Sequence, residues 1–296
     1  MHEANQMRRP ALLCLLAMLG ASAALARPSG TPELPDMASG LDAGYRLLYE
    51  LKFAEAREQF TAWEKAHPDD PFSSASEAAS YLYEEFYMQG VLSSEFFLDD
   101  KRFLGGITGK PDEKRRAEFI AANHRAHEVA RRRLKVNPQD PEALFALTIS
   151  TGMQADYASL IEKRQFESLR LVRESESHAK TLLAIAPESA DAYLALGAAT
   201  YIVGCLPAYK RFFLYFGGIR GDKARGMQQM QLAATRGHYL RPFAKILLAL
   251  AALREKQLDL ARAQLRELTA EFPANPVFQR ELAKLQSPSG TTVSSP

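Results

Sequence analysis

The 296-residue sequence has little cysteine and no excess of charge of one sign. It contains two cysteines, and 37 Lys and Arg residues face 35 Asp and Glu residues, which gives a formal net charge of +2. So few cysteines exclude a small disulfide scaffold, and the near balance of charge disfavours nucleic-acid binding, which usually needs a basic surface. With 47% hydrophobic and 24% charged residues, the composition is that of an ordinary globular protein.

Motifs of the common enzyme and metal sites are also missing. The sequence has neither G-x-S-x-G nor H-E-x-x-H. The loop 105–110 is one residue too short for a phosphate-binding loop, and Pro111 stands where the magnesium-binding hydroxyl would be, so we interpret it as a flexible turn. His124 and His127 lack a third metal ligand nearby. We therefore predict no enzymatic activity, no metal and no cofactor. Three acidic pairs are expected in solvated turns or on helix faces: Asp69-Asp70, Glu84-Glu85 and Asp99-Asp100.

The amino-terminal segment has the features of a signal peptide. Arg8 and Arg9 precede the apolar run 11–19, which is too short to span a membrane, and Ala24-Leu25-Ala26 has the small-x-small form of a signal-peptidase site. We predict that residues 1–26 are cleaved and that the protein is periplasmic or secreted by the general secretory route, because Pro10 disfavours a twin-arginine signal. Cleavage would leave a net charge of +1 and Cys205 as the last cysteine.

The rest of the chain divides by composition. Residues 27–36 are predicted to be a linker, 37–286 a helical repeat domain, and 287–296 a disordered tail with almost nothing to bury. No second apolar run approaches the length of a membrane span.

An internal repeat dominates residues 37–286. Four segments carry a small residue, another small or apolar residue four positions later, and a proline twelve positions after the first. They are Ala56, Phe60, Pro68; Ala126, Ala130, Pro138; Ser175, Ala179, Pro187; and Ala261, Leu265, Pro273. The spacing predicts helices with one buried face, where a small residue lets a neighbouring helix approach and the proline ends the helix.

The preceding helices carry a second pattern. Tyr193, Leu196 and Gly197 stand in a bulky-x-x-Leu-Gly arrangement, Gly204 follows at a turn position, and Gly44 occupies the place of Gly197 in an earlier unit. In these features the sequence resembles the tetratricopeptide repeat (TPR) family, in its exported bacterial form. The resemblance implies an all-α fold, a TPR-like α-solenoid of about five antiparallel helix pairs beginning near residues 37, 71, 141, 190 and 242. Insertions that are non-helical or partly helical are expected at 93–111, 154–166 and 205–221.

The resemblance also implies that the first helix of each pair lines a concave ligand face. By register this face would include Tyr45, Leu48, Tyr49, Phe72, Leu82, Tyr83, Phe145, Ile149, Met153, Leu194, Tyr201, Ile202, Phe243 and Ile246. Such a face would accept an apolar helix, a lipid chain or the protein's own inserts. We predict a non-enzymatic scaffold that binds a protein or peptide through Tyr45, Tyr49, Tyr83, Phe145 and Tyr201. The alternative is a carrier of a lipid or small hydrophobic ligand, using a cavity between groove and inserts.

Two further stretches are candidates for partner contact. One combines aromatic and basic residues, which favours a contact site over plain core because Lys and Arg are rarely buried without partners: Tyr209, Lys210, Arg211, Phe212, Phe213, Tyr215 and Phe216. The other, residues 101–135, has eleven Lys or Arg against four acids. It could be a solvated helix or could attract anionic lipid or an acidic partner. The predicted export makes RNA an implausible partner.

Overall fold

The computed structural model describes residues 40–208 and 220–286, and within these ranges the regular structure is helical, without a strand. The α-helices are α1 Gly40–Tyr49, α2 Phe53–Ala66, α3 Pro71–Met88, α4 Ser94–Leu98, α5 Asp100–Gly105, α6 Glu113–Val136, α7 Pro141–Asp156, α8 Gln165–Ile185, α9 Ala192–Cys205, α10 Lys223–Arg236, α11 Arg241–Arg254, α12 Leu258–Glu271 and α13 Pro276–Gln286. A π-helix, Tyr157–Ile161, continues from α7.

Acidic caps and prolines set where several helices start. Asp70 accepts a hydrogen bond from the backbone N–H of Phe72, and Asp140 accepts from those of Glu142 and Ala143, each just before a proline that begins its helix. A carboxylate here accepts hydrogen bonds from N–H groups that have no partner within the helix. Proline at the first position costs no helical hydrogen bond, because the N–H that it lacks would have had no partner there.

Consecutive helices pack as antiparallel pairs. The pairs are α1 with α2, α3 with α6, α7 with α8, α9 with α10, and α11 with α12, and α13 packs last against α12. In the second pair, Arg115 near the start of α6 contacts Glu85 near the end of α3, and Arg133 near the end of α6 bonds the carbonyl of Asp69 before α3. The predicted all-α, TPR-like solenoid of helix pairs is therefore confirmed.

The small residues of the repeat lie where helices meet. Ala56, Ala126, Ser175 and Ala261 are all buried in the second helices of their pairs. The α9–α10 pair lacks the proline signature, and Gly226 takes the small position instead. A Cβ on Gly226 would lie 2.6 Å from the Tyr201 nitrogen, and one on Gly197 would lie 2.8 Å from the Met230 nitrogen, so the two backbones are nearly in contact.

The insertions are only partly helical. Residues 93–111 form α4 and α5, and the lengthened third unit contains the π-helix. Most of the insertion 205–221 lies outside the described residues, as do the predicted signal peptide 1–26, the linker 27–36 and the tail 287–296. None of the described helices is both long enough and apolar enough to cross a membrane.

Candidate functional site

The first helices of the pairs line a partly open cavity. Its volume is about 320 Å³, and its wall takes residues from α1, α3, α7, α9 and α11, with additions from α4, α5, α8, α12, α13 and the π-helix. Most wall side chains are aliphatic or aromatic. Representative residues are Leu48, Leu82, Phe86, Ile149, Met153, Leu194, Val203, Phe243, Ile246 and Phe278. This size lies at the lower end of the range typical of small-molecule sites.

The insertion 93–111 crosses over to the carboxyl-terminal helices. Arg254, at the end of α11, donates to the carbonyl of Phe97, pairs with Asp100 at 2.6 Å, and lies over the ring of Phe103 at 5.2 Å. Lys284 of α13 pairs with Glu95 of α4. Because Phe97 and Phe103 also line the cavity, the insertion covers part of the concave side.

The two ends of the described chain also meet. The Tyr49 hydroxyl donates to the carbonyl of Tyr239 at 2.9 Å, and the Asn275 side chain donates to the carbonyl of Tyr49 at 2.7 Å. Asp42 and His238 approach to 2.6 Å between Oδ1 and Nε2. These contacts between α1 and the region of α11 to α13 border the concave side, so the apolar face lines a partly open cavity.

The residues predicted as partner contacts are placed at or near this cavity. Tyr45, Tyr49 and Tyr83 line it and are buried. Phe145 lies behind the wall against the ring of Phe72, with centroids 4.7 Å apart. Tyr201 is buried and donates to Glu255 at 3.0 Å. Of the wider concave set, Leu48, Leu82, Ile149, Met153, Leu194, Ile202, Phe243 and Ile246 line the cavity.

The aromatic and basic segment falls outside the described residues. These positions are Tyr209, Lys210, Arg211, Phe212, Phe213, Tyr215 and Phe216. Their assignment as partner contacts stays a prediction, as does that of the five residues in the cavity region.

Asp156 is a cavity residue that sequence reasoning missed. It ends α7, lines the cavity and keeps some accessible surface there. Among the described residues, no side chain or backbone group bonds its carboxyl oxygens. Burial raises its pKa from 3.8 to about 7. The sequence signal was faint: Asp156 follows Ile149 and Gly152 at helical spacing, on the face that points to the cavity.

Tyrosine hydroxyls supply further polar groups to the wall. Burial raises the pKa of Tyr83 well above its usual value, and the hydroxyls of Tyr49 and Tyr45 and the carboxyl of Asp156 add to the shift. Burial likewise raises the pKa of Tyr49. These hydroxyls therefore stay protonated and can act as hydrogen-bond donors or acceptors without adding charge.

The basic stretch 101–135 is largely paired within the fold. Arg115 contacts Glu85 and Glu84, Arg116 contacts Glu162, and Arg125 contacts Glu77 and Glu64. Arg133 contacts Asp140 and Glu142. The expectation that Glu85 lies on a solvated face is wrong: its side chain is fully buried against Arg115. Much of the local positive charge therefore holds α6 to its neighbours.

The structure also shows the surroundings of His127 and of the loop 105–110, which were considered as metal and phosphate sites. Burial and the charge of Arg131 lower the pKa of His127 to about 4, so its imidazole is neutral near pH 7. Among the described residues, no group of three His, Cys, Asp or Glu side chains could hold a metal ion. In the loop 105–110, Ile107 is buried and donates to the carbonyl of Leu160 at 2.8 Å, so the expected flexible turn is tied to the π-helix.

Comparison with known proteins gives a likeness among solved structures and none among sequences. No protein-family model matches the chain, and no curated protein matches it. The crystal structure of a thermophilic TPR protein of Thermus thermophilus is 14% identical over 83% of this chain and 97% of that chain, with a TM-score of 0.45.

Proposed function

We propose that this protein is a non-enzymatic binding protein that holds one small hydrophobic molecule in its apolar cavity. The observation that carries this proposal is the partly open apolar cavity of about 320 Å³ on the concave side. Contiguous apolar surface that stays accessible often marks a ligand-binding site, and pockets of this size lined mainly by apolar side chains are typical of small-molecule sites. A small hydrophobic molecule in the cavity would cover this apolar surface.

The protein or peptide partner predicted from the sequence has weaker support on this face. Tyr45, Tyr49 and Tyr83 are at most 6% exposed. Rings of Phe72 and Tyr239 lie within 6 Å of Tyr45, and α4 and α5 cover part of the wall. A folded partner would have to displace these elements, whereas a small molecule needs only the existing space.

A fluorescence experiment tests ligand binding. The neutral probe N-phenyl-1-naphthylamine should brighten when it enters the cavity. Ala198 lines the cavity on α9, so Ala198→Phe should fill part of the space and weaken probe binding by about tenfold or more. The matched control is Ala54→Phe on the exposed side of α2, which should bind the probe as the wild type does. Equal binding by both variants, or no saturable binding, would contradict the proposal.

We also propose export, on the signal-like features of residues 1–26. Amino-terminal sequencing of the protein recovered from the cell envelope or the medium should begin at Arg27. Recovery of the chain with its first 26 residues intact would contradict cleavage at this site.

A further inference from the structure

The cavity wall is acidic as well as apolar. Asp156 and Glu281 are its two carboxylates, and no Lys, Arg or His is among the described wall residues. Glu281 already has a partner, since its Oε1 lies 2.8 Å from the Lys284 ammonium. Asp156 has none within the described ranges, so one unneutralised carboxyl group faces the apolar space.

An unpartnered carboxyl group in such surroundings constrains what can bind. A charged carboxylate away from water is unfavourable unless an opposite charge or several hydrogen-bond donors approach it. A ligand carboxylate or phosphate would add like charge next to Asp156, and no described wall residue supplies a cation to offset it. A cationic donor would supply the missing partner.

We propose that the cavity selects hydrophobic amines, with the apolar body of the ligand in the cavity and its protonated amino group paired with the Asp156 carboxylate. This inference rests on the proposed binding function and names the class of ligand. Charge-assisted hydrogen bonds between ammonium and carboxylate are among the strongest that proteins make, and apolar walls strengthen them further.

The backbone around Asp156 fits a built site. The π-helix 157–161 begins at the next residue, and its Ser159 and Leu160 also line the cavity. The Ser159 hydroxyl donates to the Asp156 carbonyl at 3.2 Å. Single π-turns are rare in helices and occur often at functional sites.

Three amphiphiles with one chain length test the inference: dodecylamine, dodecanol and dodecanoate, each kept below its micelle-forming concentration. Their ability to displace N-phenyl-1-naphthylamine is measured at mildly alkaline pH, where Asp156 and the ammonium are both charged. Dodecylamine should displace the probe at about tenfold lower concentration than dodecanol, and dodecanoate should be the weakest.

Asp156→Asn keeps the size of the side chain and removes its charge. In this variant dodecylamine should lose its advantage of about tenfold over dodecanol, while dodecanol itself binds unchanged. The control Asp259→Asn removes a fully exposed carboxylate on α12 and should leave all three affinities as they are.

The outcomes separate the two proposals. If none of the three amphiphiles displaces the probe, the binding function itself is contradicted. If they bind but dodecylamine has no advantage, or keeps it in Asp156→Asn, the cavity binds apolar molecules and the assignment of an amine is overturned. Circular dichroism of each variant confirms that it is folded.

Discussion

Among single residues, Asp156 differs from the buried acids Glu85 and Glu77 in lacking a side-chain partner within the described part of the chain. Glu85 is fully buried and paired with Arg115 at 2.5 Å, and Glu77 is paired with Arg125. For each of these carboxylates, attraction to an arginine offsets part of the hydration free energy that is lost on folding. No described residue offsets this loss for Asp156, so its ionised form destabilises the folded protein when no ligand is bound.

This destabilisation should depend on pH. The pKa of Asp156 is raised from 3.8 to about 7, so between about pH 4 and pH 7 the folded state holds a proton that the unfolded state has released. Its contribution to the free energy of unfolding therefore falls as pH rises through this window. Asp156→Asn should be as stable as the wild type near pH 4 and more stable above pH 7, by at most ~4 kcal/mol. Urea unfolding at several pH values measures this.

The comparison must be a difference between variant and wild type, because other groups titrate in the same range. Burial lowers the pKa of His127 to about 4, which makes its contribution to stability rise with pH over part of this window. Asp259→Asn, which removes a fully exposed carboxylate, serves as the control. A difference between Asp156→Asn and the wild type that does not change with pH would show that the Asp156 carboxyl is solvated in the folded protein.

Among the elements, α9 and α10 pack with their backbones nearly in contact at Gly197 and Gly226. In Gly197→Ala the new methyl would lie 2.8 Å from the Met230 nitrogen and 2.9 Å from the Gly226 oxygen, which are both backbone atoms. Backbone cannot move aside as a side chain can, so we expect a loss of about 1–3 kcal/mol in unfolding free energy.

Gly105→Ala is the matched control, because it makes the same substitution at a glycine outside this interface. Its added methyl meets nothing within 4 Å, and Gly105 ends α5 with an ordinary backbone angle. It should be neutral or stabilising by roughly 0.5 kcal/mol, because alanine favours helix more than glycine does. Thermal unfolding of both variants should separate the two effects, and equal melting temperatures would contradict the close contact.

Periodicity could predict the helices and their buried faces because those are local properties. The positions of Ala56, Ala126, Ser175 and Ala261 followed from spacing alone, and each is buried as the pattern required. Whether the concave face stays open depends instead on contacts between distant parts of the chain. Arg254 reaches residues more than 150 positions away, and nothing local to either partner specifies that pairing. Asp156 was missed for the same reason, since only the assembled cavity makes it a buried carboxyl.

For the molecule as a whole, the contacts between its ends change how it should unfold. In an open array of repeats each unit contacts only its neighbours, so terminal units can open alone. Here Tyr49 of α1 is bonded to Tyr239 and Asn275, which belong to the last units. Opening at either end should therefore loosen the other.

Asn275→Ala tests this coupling by hydrogen exchange. Asn275 is 2% exposed, donates to the Tyr49 carbonyl and accepts from the Val277 N–H. The variant should therefore lose about 1–3 kcal/mol in the free energy of unfolding. Backbone amides of α1 should then exchange faster, although they lie 226 positions away in sequence. The control Asp112→Ala removes only a helix cap, which bonds the Arg115 N–H at the start of α6, and should speed exchange there while α1 keeps its protection. If Asn275→Ala affects only α13, the ends unfold independently and the molecule behaves as an open repeat array.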